Sequence, residues 1–192
     1  MNSVLFDFPT EFYTERLFIR MPLPRDGKLM AEAVNSSIED FKPWLPFAKE
    51  KQTVEEAEAH IRKSHAEFLQ RTNLQLLVFL KDTDELIASS GLHRINWDIP
   101  KFEIGYWLDS RFSGKGYMTE AVEGIAAFAF KELHAKRLEI RCDARNKKSR
   151  AVAERVGFNL EGILENSAMT VDGSEIRDTC VYAKVIKNKL GI

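Results

Sequence analysis

Apolar and polar residues alternate through Glu15-Arg-Leu-Phe-Ile-Arg-Met21, and this period of two predicts a first strand with Leu17, Ile19 and Met21 on one side. Pro22 and the residues up to Asp26 turn the chain into a short helix over residues 27–35. Phe41-Lys-Pro-Trp-Leu-Pro-Phe47 is aromatic and twice interrupted by proline, so it reads as a loop or irregular turn. Thr53-Val-Glu-Glu places a cap hydroxyl three residues before Glu56, a capping box that opens a helix reaching about Arg71. Apolar runs at 75–80 and 85–92 flank the turn Lys81-Asp-Thr-Asp84 and predict an antiparallel hairpin. After a turn at 96–101 comes the strand Phe102-Glu-Ile-Gly-Tyr-Trp-Leu108. The period then lengthens: Met118, Ala121, Val122, Ile125, Ala129 and Leu133 recur at helical spacing, ending near His134. Arg137-Leu-Glu-Ile-Arg-Cys-Asp143 returns to alternation, with Leu138, Ile140 and Cys142 inward. A helix over 147–156 stops at Gly157, and 161–171 with 177–187 form a closing hairpin about Asp172-Gly173. The order predicts a mixed α/β (α+β) domain whose sheet is mostly antiparallel.

The chain of 192 residues suits one substantial domain, 1–192, and is short for two. A net charge of −1 offers no general attraction to nucleic acid or to anionic membranes. No apolar run approaches the roughly 20 residues that span a bilayer, and the start, Met-Asn-Ser-Val-Leu-Phe-Asp-Phe-Pro, lacks the positive region of a secretory signal. Cys142 and Cys180 lie in strand-like segments without Cys or His at metal-ligand spacing. They read as reduced, buried thiols of a cytoplasmic protein, and no metal site is expected.

Candidate chemistry begins where the strand at 102–108 runs into Arg111-Phe-Ser-Gly-Lys-Gly-Tyr-Met-Thr-Glu-Ala121. Gly114 and Gly116 admit backbone angles that a Cβ disfavours and let another molecule approach the main chain. A helix start leaves its first N–H groups unpaired at the positive end of the dipole, so strand, glycine turn and helix together suggest a phosphate cradle. The nucleotide P-loop pattern fails, because its spacing and Gly-Lys-Ser/Thr are absent. The dinucleotide fingerprint fails as well, since Thr119 stands where the third glycine belongs. The competing reading is a tight strand-to-helix connection with no ligand.

A second group, Asn146-Lys-Lys-Ser149, stands eleven residues before Gly157-Phe158 at another strand-to-helix junction. Either Asn146 or Ser149 alone reads first as a helix N-cap. Together with Ile104-Gly-Tyr-Trp and Arg111-x-x-Gly-x-Gly116, the pattern resembles the GNAT superfamily of acyl-CoA N-acyltransferases over nearly the whole chain, and most specifically over 102–158. Phe41-Lys-Pro-Trp-Leu and Gly114-Lys-Gly-Tyr-Met-Thr-Glu-Ala resemble the Rim branch, which acetylates the α-amino group of ribosomal proteins.

The resemblance implies that acetyl-CoA lies where two parallel strands, 102–108 and 137–143, splay apart. Its pantetheine would pair with the backbone at Trp107, Leu108 and Asp109. Its pyrophosphate would sit on the N–H groups from Ser113 through Gly114, Lys115, Gly116 and Tyr117 to Met118, with Arg111 beside them. Asn146 would hydrogen-bond the pantetheine, and the basic run 145–150 could meet a phosphate or form exposed helix surface. For transfer, Glu103 is the candidate base, directly or through water, with His93 as a second candidate against a structural role. A backbone N–H near Leu108 would face the oxyanion. Many members of the superfamily use a tyrosine seven residues beyond the position of Asn146; Ala153 stands there, which leaves Ser149 as the candidate acid.

The leading expectation is therefore acetyl transfer from acetyl-CoA to a primary amine, either a protein N-terminus or a small molecule such as a polyamine or aminoglycoside. The alternatives are a non-catalytic acyl-CoA sensor and a purely structural domain. Glu39, Asp40, Glu55, Glu56 and Glu58 could attract a cationic acceptor or form a solvated face, and exposed strand edges make a homodimer plausible. A thermal-shift titration separates the readings, because a ligand that binds only the native state raises its stability. Acetyl-CoA at millimolar concentration is expected to raise the melting temperature; no shift favours the structural domain.

Overall fold

A computed structural model describes residues 2–186. Two strands open the chain, β1 (Glu11–Tyr13) and β2 (Leu17–Arg20), followed by helices α1 (Gly27–Ser36), α2 (Ile38–Phe41) and α3 (Val54–Leu69). Strands β3 (Leu74–Leu80), β4 (Leu86–Asn96) and β5 (Lys101–Leu108) lead to α4 (Tyr117–Lys131), β6 (Arg137–Asp143) and α5 (Lys147–Arg155). The hairpin β7 (Asn159–Met169) and β8 (Ile176–Val185) completes the described chain. One eight-stranded sheet runs β1-β2-β3-β4-β5-β6-β8-β7, with every neighbouring pair antiparallel except β5 and β6.

The alternation along β3 explains how both sheet faces are covered. Leu74, Leu76 and Val78 face the core beneath α4, whose Ala121, Val122, Ile125 and Ala129 are buried there. Leu77 and Phe79 face the opposite core, built with Met30 and Val34 of α1 and Ala57 and Ile61 of α3. The fold class predicted from the alternation stands: a mixed α/β chain with one parallel pair in an antiparallel sheet. Among the described residues no helix is long and apolar enough to cross a membrane.

The structure departs from the predicted elements in three places, and one expectation falls outside the described residues. Strand β1 was not expected, since three residues carry too little alternation to register. The first predicted strand, 15–21, narrows to β2 because the chain turns at Thr14, whose N–H donates to the Leu17 carbonyl at 2.9 Å. The segment predicted as an irregular turn is preceded by the short helix α2, which ends ahead of Pro43. The expected end of the closing strand at Lys187 lies outside the described residues. The capping box forms as predicted: Thr53 Oγ1 accepts from the Glu56 N–H, and the Glu56 carboxylate accepts from the Thr53 N–H at 2.8 Å.

Helices α1 and α3 meet backbone to backbone at Gly27, where an added Cβ would come within 2.5 Å of the Glu58 Cα. Glu58 also accepts from the N–H groups of Arg25 and Gly27, both at about 3 Å, so the contact cannot simply slide apart. Gly27→Ala is expected to destabilise the protein by about 1–3 kcal/mol through this overlap, measured as a lower midpoint in urea or heat.

Candidate active site

Strands β5 and β6 pair only over Lys101, Phe102 and Glu103 against Arg137, Leu138 and Glu139. Beyond Glu103 they part, although β5 stays paired with β4 as far as Leu108 and β6 with β8 as far as Asp143. The facing edges of the two strands therefore carry main-chain donors and acceptors with no ladder partner, and such groups seek one. Between them lies a cleft of about 1850 Å³ that reaches the glycine loop at one end and the 40–45 segment at the other.

Gly114 and Gly116 take φ of 80° and 81°, a left-handed turn suited to glycine. Gly116 caps α4 without a side-chain hydrogen bond, so the first N–H groups of a fifteen-residue helix point outward with no side-chain cap. The turn between β1 and β2 braces this loop. Glu120 accepts from Thr14 Oγ1 at 2.7 Å, the Arg16 N–H at 2.7 Å and Arg16 Nε at 2.6 Å. Arg16 also donates to the Lys115 carbonyl at 3.0 Å and lies 4.5 Å above the Tyr117 ring. Burial pushes the Glu120 carboxyl up, but the bonds from Thr14 and Arg16 outweigh it and hold the group below its ordinary value. Sequence reasoning missed this brace; its visible trace was an acidic residue in the first turn of the helix.

Of the residues expected at the donor site, Trp107, Leu108, Ser113, Gly114, Gly116, Tyr117, Met118, Asn146 and Ser149 line the cleft. Asp109, Arg111 and Lys115 do not. Asp109 is fully buried and accepts from the Arg111 N–H at 3.0 Å, from its guanidinium at 2.6 Å, and from the hydroxyls of Ser36 and Ser37. Its role is to fasten the end of β5 to the junction of α1 and α2, and it occupies Arg111. The Lys115 ammonium lies 5.6 Å from the Phe112 ring. Within the basic run, Arg145 pairs with Asp143 and Glu175, while Arg150 donates to Tyr182. Lys147 and Lys148 line the cleft. Asp40 alone among the five acidic candidates does so: Glu39 pairs with Lys42, Glu56 forms the capping box, and Glu58 holds Arg25, Gly27 and Arg62.

Asn146 caps α5, its side-chain oxygen accepting from the Ser149 N–H at 3.0 Å. The cap orients Ser149, whose hydroxyl donates to Tyr106 Oη at 3.1 Å, while the Tyr106 hydroxyl donates to the Ser149 carbonyl at 2.9 Å. Burial pushes the Tyr106 phenol up strongly and the Cys142 thiol beside Ser149 up to about 11, so both stay protonated at neutral pH. Tyr106 is thus a protonated hydroxyl in the cleft, next to Ser149, that sequence reasoning did not single out. Its strand alternation placed it toward the cleft, but nothing in the chain linked it to Ser149.

Glu103 stands at the fork itself, its carboxylate 20% exposed and 3.6 Å from Arg94. Burial raises its pKa above the ordinary carboxylate value, with Arg94 and Arg141 pulling the other way. Among the described residues no group of three His, Cys, Asp or Glu side chains converges as a metal site.

The profile described as "Acetyltransferase (GNAT) domain" matches residues 16–159. A Bacillus subtilis (strain 168) protein named "Putative ribosomal N-acetyltransferase YdaF" is 33% identical over 152 residues, 77% of this chain and 80% of its own. The Escherichia coli (strain K12) "Ribosomal-protein-serine acetyltransferase" is 32% identical over 120 residues, 62% of this chain and 65% of its own. Among solved structures, the Microcin C7 self immunity acetyltransferase MccE, in complex with acetyl-CoA and AMP, superimposes with a TM-score of 0.82 at 25% identity, covering 90% of this chain and 94% of that one.

The Asp109 clamp makes a pH-dependent contribution. Burial disfavours its charge, yet the bonds from Arg111 and Ser36 hold its pKa below the ordinary value. Stability from a depressed carboxylate is present at neutral pH and is lost as pH falls through the folded-state value. Asp109→Asn is expected to lower stability on the order of 2 kcal/mol near neutral pH. Denaturation at a series of pH values should show the difference from the parent shrinking below about pH 4.

Proposed function

The chain belongs to the GNAT acetyltransferase family, with residues 16–159 matched, and from that premise we propose that it moves the acetyl group of acetyl-CoA to the α-amino group of a protein N-terminus. Acetyl-CoA-dependent N-acetyl transfer is the family's activity. The observation that carries the donor side is the parting of β5 from β6 beside an N–H cradle that no side chain caps. The acceptor is proposed on the similarity to relatives named as ribosomal acetyltransferases.

In this reading the amide-bearing pantetheine takes the free edge of β5 near Trp107 and Leu108, as an added strand would. The pyrophosphate takes the N–H groups of residues 113–118, where neither Arg111 nor Lys115 is needed. Asn146 uses its oxygen as a helix cap and keeps its amide N–H groups for the pantetheine. Glu103 accepts a proton from the incoming amine, directly or through water, and its raised pKa makes it a stronger base than an exposed carboxylate. The amine attacks the thioester carbonyl, whose oxyanion faces a backbone N–H near Leu108. The C–S bond then breaks, and the Ser149 hydroxyl, turning from Tyr106 Oη, gives the departing sulfur a hydrogen bond or a proton that solvent restores.

A small-molecule amine acceptor is the second reading, favoured by the likeness to MccE, whose structure holds acetyl-CoA with AMP. The proposal includes a cytoplasmic location. It also allows a homodimer through the edge strand β7, where Leu160, Ile163 and Leu164 are exposed.

Ser149→Ala is expected to lower acetyl transfer to peptides about 10–100-fold while leaving the acetyl-CoA thermal shift in place. Glu103→Gln should slow the reaction chiefly below the amine's pKa. Steady-state kinetics across pH check both: unchanged turnover removes Ser149 from the reaction, and a profile that overlays the parent's removes Glu103.

A further inference from the structure

A second pocket of about 300 Å³, mainly apolar, shares Gly105, Tyr106 and Trp107 with the cleft and carries Asn73, Gln75 and His93 in its wall. His93 is the direct cross-strand partner of Glu103, so the two side chains stand on one face of the sheet. Two glycines make room for the imidazole: a Cβ on Gly91 would come within 3.2 Å of Cε1, and one on Gly105 within 3.1 Å of Cδ2 and 3.3 Å of Nε2.

The tautomer follows from a chain of hydrogen bonds. The Asn73 amide N–H donates to the Glu67 carboxylate at 3.0 Å, which turns the amide oxygen toward His93 Nδ1 at 2.6 Å. An amide oxygen only accepts, so Nδ1 carries the proton and Nε2 the lone pair. No hydrogen bond engages Nε2 among the described residues, and it lies over Gly105, which lines both cavities. The titratable and charged groups facing the ring are Glu67 and His60 from α3, Arg94 from its own strand and Glu103 from β5. Burial outweighs the pull of Glu67 and keeps the imidazole below its ordinary pKa, hence neutral near pH 7.

Turning an ammonium into an amide removes two protons from nitrogen. The first departure frees the lone pair that attacks the thioester carbonyl. The second takes a proton from the nitrogen of the tetrahedral adduct before the C–S bond breaks. One proton is returned to the CoA sulfur, so the sum is RNH3+ plus thioester giving amide, thiol and one H+. A single carboxylate holds only one of the two. We propose that His93 Nε2 is the second proton acceptor, beside Glu103, with Asn73 and Glu67 as positioning residues that fix its tautomer; this rests on the acetyl-transfer reading above.

Long-range 1H–15N spectra of the free protein test the tautomer, whatever the acceptor. A proton on Nδ1 is expected, and one on Nε2 overturns the proposal. Turnover of acetyl-CoA, followed as free thiol from about pH 5 to about pH 9, is then compared using short peptides that begin with Ser, Ala, Gly or Met. His93→Gln is expected to lower kcat/KM on the order of 10²-fold with the acetyl-CoA thermal shift intact. Glu67→Gln removes a charge that favours the imidazolium, so the acidic limb of the profile should move to lower pH. Parental rates and profiles in both variants overturn the proposal. If acetyl-CoA fails to shift the parent, the donor reading fails; if no peptide turns over, the acceptor reading fails. In the latter case the slow hydrolysis of acetyl-CoA supplies the profile, because water needs a proton acceptor too.

Discussion

The parting of two parallel strands after only three paired residues is the constraint on which the rest of the site depends. Unpaired main-chain edges inside a sheet would pair with each other unless something holds the strands apart. Here the same short device does so at both ends. Asp109-Ser-Arg111 ends β5 and Asp143-Ala-Arg145 ends β6, and in each the aspartate accepts from the N–H two residues on, at 3.0 Å and 2.8 Å. Asp109 draws its strand end toward Ser36 and Ser37 on the α1 side. Asp143 holds its own end with Arg145 and lies 3.9 Å from Arg177 of β8. The fork is anchored on opposite flanks, so the edges between stay free for a ligand.

The electrostatics of the cleft follow from the same economy of contacts. Arg111, Arg145 and Arg150 are each engaged with side chains of the protein, and Arg16 is spent on Glu120. Among the described residues, what lines the cleft and is left to meet an anion is the N-terminus of α4 with Lys147, Lys148, Arg141 and Arg155. A cradle of backbone N–H groups needs no basic surface, which agrees with a chain whose net charge is −1. The titratable and hydroxyl groups gather elsewhere along the fork: Glu103 and His93 pair across β5 and β4, and Ser149 bonds to Tyr106 across the gap.

Much of this was legible in the chain because it rests on local rules. Alternation in 102–108 and 137–143, the glycines at 114 and 116, and the cap at Thr53 are written in adjacent residues, and each appears where its pattern predicted. Three features were not legible, and all are products of tertiary contact. Asp109 and Arg111 stood as ligand-binding candidates beside the loop, while the two serines that also bond to Asp109 lie more than seventy positions away. Glu120 serves the loop only because β1 and β2 bring Thr14 and Arg16 to it. Ser149, the candidate acid where Ala153 takes the tyrosine position, meets a phenol, Tyr106, from the opposite strand of the fork. The repeated Asp-x-Arg was visible but had no meaning until both strand ends were seen to need the same turn.

Amide hydrogen exchange with and without acetyl-CoA tests the fork most directly. The account predicts slowed exchange at the free-edge amides of residues 104–108 and in the loop at 113–118, with β1 and β2 unchanged beyond their contact with the loop. Protection confined to other strands, with residues 104–108 exchanging as in the free protein, would contradict it.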